Sequence, residues 1–281
     1  MKKIFLAVFA AALCSLRLLA ENEISQYTEQ KLNEFVLQRI IMKSWDHTDA
    51  IREIDEIKTE TFASLEENAI DYEQEACLLD AIYFLETYEH LYSKEHRAAL
   101  RKQTQVRMKK YHAMIEKRSD EKISKWTYIV CADITNYYMT RSVAACFKYG
   151  FKVKAWYTAA IAKDKYFTLA NSCLANWHFY APAPFGSDKR ARELYANGLK
   201  GAKTAGEQYL ANMYYSQYLY EKKKKEDAKK YLQVCYDLDL GTTELDFISK
   251  CNSDGISFLQ YLRNRSGVDE EIPENEKQSD D

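Results

Sequence analysis

Glycine and proline are scarce in this chain, 8 and 3 of 281 residues. Sheet folds of this length spend more glycine on turns, and sustained two-residue alternation of apolar and polar positions is absent, so an all-α fold is predicted. Histidine is also sparse, at 5 residues. His90 and His96 stand six apart, on different faces of a helix, and no HExxH accompanies them, which disfavours zinc. No CxxC, Gly-x-Ser-x-Gly, phosphate loop or paired-carboxylate pattern occurs. No cofactor and no catalytic role is therefore expected, and His178, beside Trp177, reads as a packing or capping residue rather than a base. Asp133, inside the apolar stretch Ile129 to Tyr138, reads first as a solvated or helix-stabilising carboxylate and second as a buried functional one.

What is present is a repeat. Ala155-x3-Ala159-x2-Ala162, Ala191-x3-Tyr195-x2-Gly198 and Ala228-x3-Leu232-x2-Cys235 share one pattern, with leading alanines 36 and then 37 positions apart. Such a period, with small residues where helices must approach, is the mark of tetratricopeptide-like hairpins. Leu174-Ala175 and Leu210-Ala211, a large residue followed by a small one, fit the first helix of each hairpin. The fold class expected is an all-α, right-handed stack of antiparallel helical hairpins, a divergent tetratricopeptide-like solenoid.

Ten to twelve helices are predicted. They run near 23–44, 47–69, from Asp71, from a Ser93 cap, from a Ser119 or Asp120 cap, and over 142–163. The hairpins 164–181 with 187–203 and 206–222 with 225–238 follow, then short helices near 243–250 and 253–265. The organisation expected is an export signal over 1–20, a helical cap or divergent repeats over 21–119, repeats over 120–265 and an acidic tail over 266–281.

Residues 1–20 carry Lys2 and Lys3, an apolar run from Ile4 to Leu13 and a cleavage site after Ala20, so export to a periplasm is expected. The run is shorter than the roughly 20 residues needed to span a bilayer. Cys14 offers a second reading, a lipoprotein, but Leu13 sits where a small side chain is required, and soluble export is favoured. Removing Lys2, Lys3 and Arg17 takes the formal charge from −2 to −5. The last 15 residues hold seven carboxylates against Lys277, a charge of −6, which leaves the body near +1 and gives no field suited to nucleic acid. Lys222 to Lys225 with Lys229 and Lys230, and the stretch Arg101 to Arg118, read as solvated surface. Six cysteines follow the signal. Buried thiols are expected for most of them, with Cys235 and Cys251 the first pair to examine for a disulfide.

The segment Asn176 to Ala191, with its Tyr180-Ala-Pro-Ala-Pro-Phe-Gly-Ser-Asp188 turn, resembles exported tetratricopeptide-like proteins of spirochaetes, including the T component associated with TRAP transporters. The likeness runs through Ala228 and back toward Trp126, and Ser187 stands where the family often has a second glycine. The resemblance implies a non-enzymatic accessory protein of the periplasm. Such a protein assembles with a TRAP-type solute-binding protein, hands over a small hydrophobic ligand, and forms a homotrimer with a channel through each subunit. A general scaffold for other envelope proteins is the alternative. In repeat geometry the first helix of each hairpin faces inward, which makes Trp126, Tyr137, Tyr138, Asn171, Trp177, Tyr180, Tyr214 and Tyr218 the candidate ligand or partner face.

Overall fold

The computed structural model describes residues 23–265 apart from 94 and 141, so the export signal, Cys14 and the acidic tail lie outside the described residues. The described chain is all-helical, with twelve α-helices and no strand. They are α1 (Gln26–Met42), α2 (His47–Asn68), α3 (Tyr72–Leu91), α4 (Arg97–Glu116), α5 (Lys125–Met139), α6 (Val143–Lys163), α7 (Thr168–Tyr180), α8 (Asp188–Gly201), α9 (Ala205–Glu221), α10 (Lys225–Asp237), α11 (Glu244–Ser253) and α12 (Phe258–Arg265). None is long and apolar enough to cross a membrane.

Side-chain caps start most of them. Ser25, Asp46, Asp71, Ser124, Ser142, Ser187 and Thr204 each accept a backbone N–H of the first turn, satisfying a donor that the helix itself leaves orphaned. Two expected caps are displaced. Ser119 precedes only a 3₁₀ turn, Asp120–Lys122, and α5 begins after Ser124. Ser93 Oγ accepts from His96 N at 3.2 Å, but α4 starts at Arg97.

The hairpins α5/α6, α7/α8 and α9/α10 are the most closely packed pairs. Their second helices share a buried spacing: Ala191, Tyr195 and Gly198 on α8, and Ala228, Leu232 and Cys235 on α10. On α6 the same spacing falls on Val153, Tyr157 and Ala160, while Ala155 and Ala162 are exposed. The expected first repeat was thus two residues out of register. Alanine is tolerated on either face of a helix, and only packing shows which face is covered. Leu174, Ala175 and Ala211 are buried as expected.

Long-range closure comes from α1, which packs against α9 at the other end of the chain. Gly206 makes this possible, because a Cβ there would lie 3.1 Å from Val36 Cγ1 and 3.2 Å from the Leu37 nitrogen. Ile40 of α1 then joins Tyr209, Met213, Leu232 and Ile248 in the C-terminal core, and burying such a side chain contributes about 1.5–3 kcal/mol. Just beyond α1, Ser44 Oγ accepts from Thr243 N at 2.6 Å. The first helix is therefore wedged into the stack, and one of its faces becomes an inner wall.

Among the described residues all six cysteines are free thiols: Cys77, Cys131, Cys235 and Cys251 are buried, Cys173 half-buried and Cys146 exposed. Several cations of the basic stretches are ion-paired. Arg107 pairs with Asp80 at 3.0 Å, Arg118 with Asp71 at 2.9 Å, Lys222 with Asp188 at 3.0 Å and Lys230 with Asp227 at 2.9 Å.

Candidate ligand cavity

Wedging α1 into the stack leaves a half-open cavity of about 1510 Å³. Its walls come from α1, α3, α5, α6, α7, α9 and α12, together with the turn after α7. Most of the wall is apolar: Val36, Ile40, Ile82, Leu85, Ile129, Val130, Leu169, Leu210, Met213 and Phe258 all contribute.

Five of the eight candidate residues line this space: Trp126, Tyr137, Trp177, Tyr180 and Tyr214. Trp126 packs edge-on against Phe167 with centroids 5.0 Å apart. Trp177 Nε1 donates to the Gly150 carbonyl at 3.2 Å, and Tyr180 donates to Glu221. The other three serve packing. Tyr138 accepts from Gln105 Nε2 at 3.2 Å, with Arg101 4.8 Å from its ring centroid. Asn171 Nδ2 ties back to the carbonyls of Lys165 and Phe167 at 3.0 and 2.9 Å. Tyr218 stacks on Tyr215 and donates to Asp188 Oδ1 at 3.2 Å. His178 is buried between turns, its carbonyl accepting from Ser187 N at 2.9 Å. A Cβ on Gly186 would lie 2.1 Å from the Ala181 oxygen, so the turn after α7 closes only around glycine.

The charged part of the cavity comes from residues outside that candidate set. Arg39, in the last turn of α1, and Lys43, which caps its end, both line it. Arg39 Nε lies 3.2 Å from Glu86 Oε2, while 28% of the Arg39 side chain stays exposed and Glu86 is almost fully covered. Burial by itself would raise the Glu86 carboxyl, but Arg39, His90 and Lys43 together outweigh it and hold the group below its ordinary range. Lys43 Nζ lies 3.3 Å from Glu244 Oε1, whose Oε2 accepts from Tyr209 OH at 2.8 Å. The Tyr214 hydroxyl has no hydrogen-bond partner among the described residues, and burial pushes it up to about 12.

Asp133 faces the same space from α5. Its Oδ1 accepts from Tyr157 OH at 2.7 Å, and that hydroxyl accepts from Asn136 Nδ2 at 2.6 Å. Burial raises Asp133 to about 6, against the lowering effects of the Tyr157 hydrogen bond and of Arg39. The signal for α1 in the sequence was a pair of cations at i and i+4 flanking Val36 and Ile40. It could be read only once the helix was known to lie inside.

No family model, curated protein or solved structure matches this chain. Its functional reading therefore rests on the cavity. Among the described residues no group of three or more His, Cys, Asp or Glu is placed to hold a metal ion. The arrangement is that of a container. Its wall is apolar and aromatic, and Arg39, Lys43 and Tyr214 are the donors in its lining.

Proposed function

We propose that the protein is a non-enzymatic, exported binding protein that carries an amphipathic small molecule in this cavity and passes it to a solute-binding partner of a TRAP-type transporter. The observation that carries the binding part is the cavity itself, large and apolar, with Arg39, Lys43 and Tyr214 in its lining. Among the described residues Arg39 forms an ion pair with Glu86 and Lys43 one with Glu244, and each side chain carries more N–H donors than that pair uses. Together with the open Tyr214 hydroxyl those remaining donors suit a ligand with an apolar body and an anionic or acceptor-rich head. The accessory role, the periplasmic location and a trimeric assembly are supported by the resemblance of the Asn176 to Ala191 segment.

Native mass spectrometry of protein purified from its own envelope tests the ligand, with anilinonaphthalene sulfonate as a titratable probe that is both aromatic and anionic. Arg39→Gln is expected to weaken the probe about tenfold, the equivalent of 1.4 kcal/mol. An empty cavity that also ignores the probe would remove the binding reading. Crosslinked pull-down of the tagged protein tests the partner, and repeated recovery of unrelated envelope proteins instead would shift the reading to a scaffold.

A further inference from the structure

The cavity carries an exposed apolar patch on part of its rim. Its exposed apolar lining residues all fall within 143–151 on α6 and 182–185 in the turn after α7. Val143, Phe147 and Phe151 follow one another every four residues along one edge of α6 and are 71%, 81% and 54% exposed. Phe185, across the opening, is 49% exposed and meets Phe151 edge-on with centroids 5.1 Å apart. Exposed large side chains gathered in one patch are unusual on a surface that meets only water.

Charge around this rim has one sign. Residues 134–163 contain Arg141, Lys148, Lys152, Lys154 and Lys163 and no Asp or Glu, and residues 181–187 carry no charge at all. Lys152 and Lys163 pair with Glu116 and Glu23. Lys148 and Lys154 make no ion pair with a described residue. They sit over rings instead, Lys154 being 4.5 Å from the centroid of Trp177 in the cavity wall. The four apolar side chains offer roughly 450 Å² when a whole aromatic counts for about 150–250 Å². That falls short of the ~800 Å² each partner gives to a standard protein interface. Aromatic side chains flanked by uncompensated lysines match instead the chemistry of an anionic bilayer surface, with an apolar boundary beneath acidic head groups.

We propose that this rim docks on anionic lipid, with Phe147, Phe151 and Phe185 entering the interface and Lys148 and Lys154 meeting the head groups. The cavity mouth then opens directly onto the bilayer, and an amphipathic ligand passes between lipid and protein without crossing water. The docking surface stands on its own residues and does not depend on the ligand proposed above.

The test is co-sedimentation of residues 21–281, which hold every described residue, with vesicles of phosphatidylcholine alone or mixed with phosphatidylglycerol. Binding to the anionic vesicles is expected, and it should weaken toward about 1 M salt, where charges are screened beyond roughly 3 Å. The double variant Phe147→Ser with Phe151→Ser is expected to lower partitioning at least tenfold. Lys148→Glu with Lys154→Glu should abolish the preference for phosphatidylglycerol. Val106→Ser, equally exposed on α4 but away from the cavity, should change nothing. Circular dichroism melts establish that each variant is folded. Failure of the unaltered chain to sediment with either vesicle would overturn the proposal. So would rim variants that bind like Val106→Ser, or a rim needed only for a purified protein partner.

Discussion

Replacing Asp133 by Asn should stabilise the protein above neutral pH and not below pH 4. The carboxyl ordinarily titrates near 3.8 and is held up to about 6 here by burial, only partly offset by the Tyr157 hydroxyl and Arg39. A raised acid binds its proton more tightly when folded than when unfolded. Stability therefore falls as the pH rises from about 3.8 to about 6, and the deficit stays constant beyond. At 1.36 kcal/mol per pH unit the deficit is roughly 3 kcal/mol. Asn keeps an oxygen for Tyr157 but puts a buried NH2 where the neutral acid has a single O–H, a cost of about 1 kcal/mol. The net expectation is about 2 kcal/mol of added stability at pH 8, or about 2–4 °C in Tm for each kcal/mol. At pH 3.5, where both side chains are neutral, the variant should be level with the parent or slightly below it. Urea unfolding at several pH values between 3.5 and 8 measures the difference directly. The other titratable groups that feel this carboxylate are Cys131 of α5, Cys173 of α7 and Tyr214 of α9, all pushed up by burial and neutral throughout that range. A variant that is less stable at pH 8 would refute the reasoning, showing that Arg39 compensates the ionised carboxylate in full.

Three further outcomes are expected. Gly201→Ala should cost at least about 2 kcal/mol, because its Cβ would lie 1.6 Å from the Tyr166 carbonyl oxygen, whereas Gly150→Ala in mid-α6 meets nothing within 4 Å and should gain up to about 1 kcal/mol; paired thermal melts decide both. Tyr111→Phe removes a 2.7 Å hydrogen bond to Asp80, a carboxylate held low by Tyr111, Arg107 and Lys58 against burial, and should cost about 1.5–3 kcal/mol at pH 7; because a depressed acid contributes its stability above its unfolded value, the cost should shrink as the pH falls below 3.8. A thiol reagent applied to folded protein should modify Cys146 first and Cys77, Cys131, Cys235 and Cys251 only on unfolding, read by peptide mass spectrometry; a Cys235–Cys251 disulfide in that digest would contradict the free thiols.

Local physics was largely legible in advance. Few glycines and prolines, capping residues and apolar periodicity placed helices such as α2 and α6 to within about a residue, and small residues marked the hairpins of α7 to α10. Where two local signals competed, sequence reasoning slipped. Ser119 and Ser124 both precede helix-forming stretches, and only packing selected Ser124. Ala155 and Val153 lie on different faces of α6, and a residue as small as alanine does not announce which face is covered. The candidate cavity divides the same way. Tyr137, Trp177 and Tyr214 could be named from their place in the repeat, because hairpin geometry directs that helix inward. Arg39 and Lys43 could not, because their role depends on α1 packing against α9, some 170 residues later in the chain, through the gap that Gly206 leaves. Helix formation follows from hydrogen bonds and propensities a few residues apart. Which faces those helices turn inward, and what space remains between them, is a property of contacts that close only in the folded chain.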